Sequence, residues 1–181
     1  LAAKANALPV GDPALQQVAL GPIIDAGQRD TIHALVPSRV ARGARLVAGG
    51  TYDELFYRPT VLTNVSTDTP AYAQEVFGPV APVMRFSTLD EAARLAADTE
   101  YGLSLGILTR DPLRALELAN RIPSGIVHIN DQTVNDEAQI PFGGVGSSGT
   151  GSRFGGAEAN IEAFTETQWV TMRSDIAPSP F

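Results

Sequence analysis

The stretch from Val80 to Ile129 constrains this chain more than any other, because it alternates short apolar runs with amphipathic ones. Val80 to Phe86 (VAPVMRF), Leu103 to Thr109 (LSLGILT) and Ile126 to Ile129 (IVHI) are short and apolar, which reads as strand. Between the first two, Thr88 to Thr99 (TLDEAARLAADT) places Glu91 three residues after Thr88. At a helix start, each of these side chains can satisfy a backbone donor of the other. Asp111 to Arg121 (DPLRALELANR) has Asp111 as the cap and Pro112 at the first helical position, where a missing N–H costs nothing. The order β-α-β-α-β implies an α/β fold with parallel strands and right-handed crossovers. The apolar strands are expected to be buried on both faces.

The flanking segments are read more coarsely. Leu1 to Leu8 (LAAKANAL) reads as the tail of a helix with no capping residue before it, and Pro9 and Gly11 then stop it. A chain cut from a longer parent is favoured over a full chain with trimmed first residues. Residues 25–43 read as helix, with Ile32, Leu35, Val36 and Val40 at helical spacing and Pro37 expected to bend or split it. Arg45 to Ala48 and Pro59 to Val65 are strand candidates. Residues 131–156 are rich in Gly, Asn, Asp and Ser and are expected to be loop. Ala157 to Phe164 is a short helix candidate, Thr165 to Arg173 alternates like a strand, and 174–181 is a tail with two prolines.

Composition then narrows the chemistry. With 181 residues, 44% of them hydrophobic, the chain can bury one proper core. No apolar run approaches the roughly 18 residues of a membrane span, and the start does not read as a signal peptide, so cytoplasm is the default location and a membrane partner is not expected. A net charge of −7 without a basic cluster points away from nucleic acid. Lys4 is the single lysine and cysteine is absent, so these residues supply neither a disulfide nor a thiol nucleophile.

Three constellations could carry chemistry. In Gln74-Glu75-Val76-Phe77-Gly78-Pro79-Val80, the Gly-Pro pair forces a turn at the mouth of a strand, which is where α/β sheets bind ligands. A carboxylate there can accept from a sugar diol and a ring can pack on a flat heterocycle, although a solvated Glu and a core Phe are the commoner outcome. In Pro141 to Gly151, Gly144-x-Gly146-x-x-Gly149 matches the dinucleotide fingerprint in letters only, since no strand precedes it and no βαβ unit contains it. It reads instead as a loop allowing close backbone approach, with Phe142 offered to a pocket or to the core. His33 and His128 have no partner at ligand spacing, so structural roles are expected and no metal site is assigned. Asp136-Glu137 is a paired acid in a loop, and such acids are usually solvated.

Leu8 to Pro13, Leu20-Gly21-Pro22, Arg58-Pro59-Thr60, Gln74 to Val80, Tyr101-Gly102-Leu103, Asn130, Pro141-Phe142-Gly143-Gly144 and Ser148-Gly149 stand in the order and spacing of the aldehyde dehydrogenase superfamily. The resemblance covers nearly the whole chain and is to the C-terminal part of the family pattern. Val134 to Gln139, with Ser152 to Gly156, looks like the benzaldehyde and vanillin dehydrogenase branch, which handles aromatic aldehydes.

The resemblance implies an incomplete parallel-sheet, Rossmann-like catalytic domain over 1–164, including the cleft loop 131–156. It implies an oligomerisation strand and tail over 165–181, with Trp169 either anchoring that strand or packing within its own subunit. It also implies a reaction in which a cysteine thiolate attacks the aldehyde and hydride leaves the thiohemiacetal for NAD, NADP being possible. A glutamate then activates the hydrolytic water. In the family pattern that cysteine and glutamate lie upstream of Leu1, so no catalytic residue is assigned and the isolated chain is expected to be inactive and to bind NAD weakly. By resemblance, Glu75 would hold the nicotinamide ribose hydroxyls and Phe77 would pack at the nicotinamide end. Phe142 would line the aldehyde tunnel, with Thr133, Val134 and Asn135 beside it. Asn130 would support a strand end. The parent would be a homodimer or homotetramer. Gln74 replaces the first Glu of the family pair, and Gly146 stands where many relatives carry lysine. The alternative is a non-catalytic interaction module derived from the family.

Overall fold

A computed structural model describes every residue except 68–71, 73, 177 and 179–181, together with the side chain of Arg39. The chain divides into two compact units, Leu1–Asp98 and Thr99–Phe181.

The first unit is built around β4 (Thr60–Thr63), flanked by β1 (Arg45–Ala48) and β5 (Val80–Val83) in the order β1-β4-β5. β5 runs parallel to β4, from Thr60↔Val80 to Thr63↔Val83, whereas β1 is antiparallel to it, so the sheet is mixed rather than wholly parallel. Adjacent residues of a strand point to opposite faces, and both faces of β4 are covered. Leu62 packs with Val36, Ala44 and Val65, reaching α2 (Ala26–Val40). Val61 packs with Ala5 and Ala48, reaching α1 (Ala2–Ala7). Leu62 is fully buried and Val61 is 3% exposed, as expected for a strand covered on both sides.

Helix α2 continues through Pro37 to Val40 without splitting, because the proline lies in its last turn. His33 on α2 has the structural role expected of it. Its Nδ1 lies 3.2 Å from the Tyr57 hydroxyl, and its ring meets Tyr52 edge-on at 5.0 Å. Arg29 lies 4.7 Å over the Tyr52 ring and donates to the Glu54 carbonyl, so this cluster pins the hairpin of β2 (Tyr52–Asp53) and β3 (Phe56–Tyr57) to α2. That hairpin is absent from the sequence reading. α3 (Leu89–Ala97) closes the unit. Its Thr88 cap accepts from the Glu91 amide at 3.1 Å, but the Glu91 carboxylate reaches the Ser87 amide, one residue further back than a capping box predicts.

In the second unit β6 (Ser104–Ile107) and β7 (Ile126–Ile129) pair in parallel, joined by α4 (Pro112–Ala119). Asp111 caps α4 by accepting from the Arg114 amide at 3.1 Å, as read from the sequence. β6 and β7 are only half-buried, against the expectation of burial on both faces. α5 (Ala157–Phe164) forms where expected. Thr165 to Arg173 forms no strand within this chain, and Trp169 is 89% exposed; the strand expected there is one that pairs with a second subunit, so it stays an expectation. A strand exists only with a partner, and alternation alone provides none. Residues 177 and 179–181 of that terminal segment lie outside the described residues.

Candidate functional site

In the first unit the Gln74–Val80 turn is fixed by its backbone. Gly78 donates to the Val76 carbonyl at 2.7 Å, Val80 to the Gly78 carbonyl at 2.8 Å, and Thr60 to the Pro79 carbonyl at 2.7 Å. Gln28 Nε2, on α2, donates to the Phe77 carbonyl at 2.9 Å. Gly78 lies so close to α2 that a Cβ there would meet Ile32 Cδ1 at 2.3 Å and Cγ1 at 2.9 Å. Only glycine permits that approach. The side chains on the fixed turn point outward. Phe77 is 70% exposed, so it is not a core residue of this chain. Glu75 is exposed, and among the described residues its carboxylate has no hydrogen bond or ion pair. The turn therefore presents an acceptor and a ring from a rigid base.

In the second unit the chain reverses at Asn130, whose φ is +61°. Its side chain accepts from the Thr109 amide at 2.8 Å, joining the ends of β6 and β7, which is the supporting role expected of it. Thr133 then folds back over β6. Ser104 Oγ donates to its carbonyl at 3.1 Å, and a Cβ at Gly106 would meet its Cγ2 at 2.9 Å. Asn135 Nδ2 donates to Asp131 at 2.6 Å, and the Gln132 amide donates to the same carboxyl. These bonds to the charged form hold the Asp131 carboxyl below the usual carboxylate range. Val134, 74% exposed, projects from this turn.

Phe142 is 41% exposed and pairs with Phe154 through both backbone bonds, Phe142 N to Phe154 O at 2.6 Å and Phe154 N to Phe142 O at 3.0 Å. Arg153 Nη1 donates to the carbonyls of Gly143 (2.9 Å) and Gly125 (3.1 Å). The glycine run itself makes a 3-10 turn over Gly146–Ser148 instead of opening an α-helix, consistent with rejecting the dinucleotide fingerprint. Gly146 has φ +58° and a Cβ on it would meet the Glu100 carbonyl at 2.3 Å, so lysine would be strained at this position in this chain. Beneath the loop, a pocket of about 570 Å³ is lined by Pro141, Val145 and Arg153 and by Glu158 and Glu162 of α5. His128 sits in β7 with Nε2 buried and unbonded among the described residues.

Glu75 and Phe77 thus share one turn of the first unit, while Thr133, Val134, Asn135 and Phe142 belong to the second. Sequence reasoning did not assign the anchoring roles of Gln28 and Ile32 for the turn or of Arg153 for Phe142, although Ile32 was placed on the helix face and Arg153 stood in the quoted Ser152 to Gly156 stretch.

The aldehyde dehydrogenase family pattern matches residues 1–170, and the chain belongs to that family. It is 68% identical over all 181 residues to a vanillin dehydrogenase of Amycolatopsis sp., covering 37% of that protein. It is 47% identical over 181 residues to the NAD(+) benzaldehyde dehydrogenase of Pseudomonas putida, again covering 37% of it. The fold superimposes on a crystal structure of salicylaldehyde dehydrogenase from Pseudomonas putida complexed with salicylaldehyde. There the TM-score is 0.88 and the identity 38%, with 99% of this chain and 37% of that one covered. The chain therefore spans little more than a third of the length of these relatives.

Proposed function

We propose that these 181 residues are the C-terminal part of an NAD(P)-dependent aldehyde dehydrogenase that oxidises an aromatic aldehyde to its carboxylic acid. The observation that carries this reading is the identity of 68% across the whole chain with a vanillin dehydrogenase. The outward groups of the chain suit the reaction. Glu75 has an unengaged carboxylate able to accept from two ribose hydroxyls, and charge-assisted bonds of that kind are the strong ones. Phe77 offers a ring to the flat nicotinamide. The dinucleotide, when bound, accepts the hydride, and the work of these residues is to hold it in place. Phe142, with Thr133, Val134 and Asn135, forms the side that meets the aldehyde. The thiol nucleophile comes from outside these residues, since no cysteine is present, and by the family resemblance the general base does too. On this reading residues 1–164 belong to the catalytic domain, and 165–181 joins subunits into a homodimer or homotetramer.

The test has two stages. The intact mass of the natural polypeptide carrying this sequence is expected to exceed 19.1 kDa greatly. That polypeptide is then assayed for NAD(P)-dependent oxidation of benzaldehyde and vanillin. Glu75→Gln should raise the KM for the dinucleotide about tenfold or more, the loss of a hydrogen bond to a charged group. A natural mass of 19.1 kDa, or a full polypeptide inert on every aromatic aldehyde, would overturn the reading. The 181-residue chain alone should show no oxidation and weak NAD binding. Micromolar NAD affinity in a titration of that chain would contradict the second expectation.

A further inference from the structure

Phe142 stands in a run of glycines and serines that has no regular structure beyond one 3-10 turn, yet its backbone is held on three sides. On one side Phe154 takes both of its backbone groups. On a second, Val145 donates to the Gly102 carbonyl at 3.0 Å and Ser148 Oγ accepts from the Gly102 amide at 3.2 Å, which ties the far end of the run to the start of β6. On the third, Gly143 is pressed on Gly125, at the entry to β7, so closely that a Cβ on Gly125 would overlap the Gly143 carbonyl oxygen at 1.8 Å.

Beside that close approach, the Gly125 and Gly143 carbonyls both turn toward one donor. Arg153 is that donor. One nitrogen of its guanidinium meets both oxygens, and its Cγ lies 3.0 Å from where a Gly143 Cβ would stand. Arg153 also immediately precedes Phe154, so a single residue links the Phe142–Phe154 bridge, the Gly143 carbonyl and the entry to β7.

We propose that Arg153 is a positioning residue for the aldehyde pocket: it clamps Gly143 to Gly125 and thereby fixes the direction in which Phe142 points. This deepens the proposed function and rests on it, because Phe142 matters for specificity only if the site takes an aldehyde. The consequence is selective. A large flat aldehyde needs the Phe142 ring in place, whereas a short aliphatic aldehyde does not touch enough of the wall to depend on it.

The experiment uses Arg153→Ala and Arg153→Lys in the full polypeptide, with benzaldehyde and propanal compared at saturating NAD. The alanine variant should raise KM for benzaldehyde about tenfold while KM for propanal and for NAD changes less than about twofold, the signature of a misplaced substrate wall. Lysine, a single cation on a long stem, should restore part of the loss. Amide exchange in the full polypeptide supplies a readout independent of activity. There the Phe142 and Phe154 amides should exchange about tenfold faster in Arg153→Ala, and Asn130 should be unchanged. If the alanine variant does not fold, the lysine variant carries both measurements. Equal changes in KM for the two aldehydes, or unchanged exchange at Phe142, would overturn the proposal. A full polypeptide inactive on all aldehydes but with the exchange change present would sink the proposed function and leave the clamp standing.

Discussion

Adding one methyl group at Gly78 probes the joint between the Glu75–Phe77 turn and the core beneath it. An alanine Cβ there would lie 2.3 Å from Ile32 Cδ1 and 2.9 Å from Cγ1. Rotation about the Cβ–Cγ1 bond of Ile32 moves Cδ1 but leaves Cγ1 in place, so the second contact persists, and Ile32 is fully buried with nowhere to shift. Overpacking of this kind costs about 1–3 kcal/mol. Alanine also narrows the unfolded ensemble relative to glycine, which returns about 0.4–1 kcal/mol where the backbone is unstrained. The expected net loss is about 1–2 kcal/mol. Ile32→Val removes the atom that clashes most and by itself costs about 0.5–1.5 kcal/mol. The two changes together should be less harmful than their sum, by about 1 kcal/mol, because the valine makes room for the alanine. Native-state exchange of the β4 amides reads the opening of the first unit directly. Additive effects, or a neutral Gly78→Ala, would refute the claim that the turn rests on Ile32.

Three further outcomes follow from the geometry. Burial, and to a lesser extent the charge of Tyr52, raises Tyr57 above its ordinary value of 10.0. Its contribution to stability is therefore complete below that value and lost as pH rises through the raised one; alkaline unfolding should be shallower in Tyr57→Phe. Asp131 is held low by Asn135 and by the Gln132 amide, so what it contributes is present above 3.8 and lost as pH falls through the lowered value. The Asn135 side-chain amide resonances should move with that titration and stay fixed in Asp131→Asn. Asp111→Ala removes the α4 cap and should cost about 0.5–2 kcal/mol, read from exchange of the Arg114 and Ala115 amides, and Asp111→Asn should recover most of it.

Some of this was legible in the sequence because the cause was local. Thr88 and Asp111 start their helices with their own side chains, and the apolar spacing of 25–43 needed only a core to face. The β2–β3 hairpin was not legible, since two-residue strands are too short to show a period, and what fixes them is Arg29 and His33 on a distant helix. The direction of β1 depends on which neighbour it finds, and its composition is the same either way. Thr165 to Arg173 alternates, but among the described residues nothing pairs with it, because a strand needs a neighbour that alternation does not supply. In the candidate site the Gly-Pro pair and the glycine run marked segments that the structure folds as tight turns, because such turns demand those residues. Arg153 stood in the Ser152 to Gly156 stretch that carries the resemblance, but its role was not legible, since a lone cation in an aperiodic stretch looks solvated until the two carbonyls it joins are seen together.

The parallel pairing of β6 with β7 has a consequence in time as well as in space. A hairpin closes as soon as its turn is made, but among the described residues the strand that β6 bonds is β7, which is synthesised only after α4. At about 5–20 residues per second that delay is on the order of seconds, long compared with the microseconds a local hairpin takes. Throughout it the Leu103–Leu108 stretch is an exposed apolar edge on the ribosome, and a neighbouring nascent chain can pair with it first. Yield during expression should therefore respond more to translation rate and temperature through residues 108–129 than to the final stability of the fold.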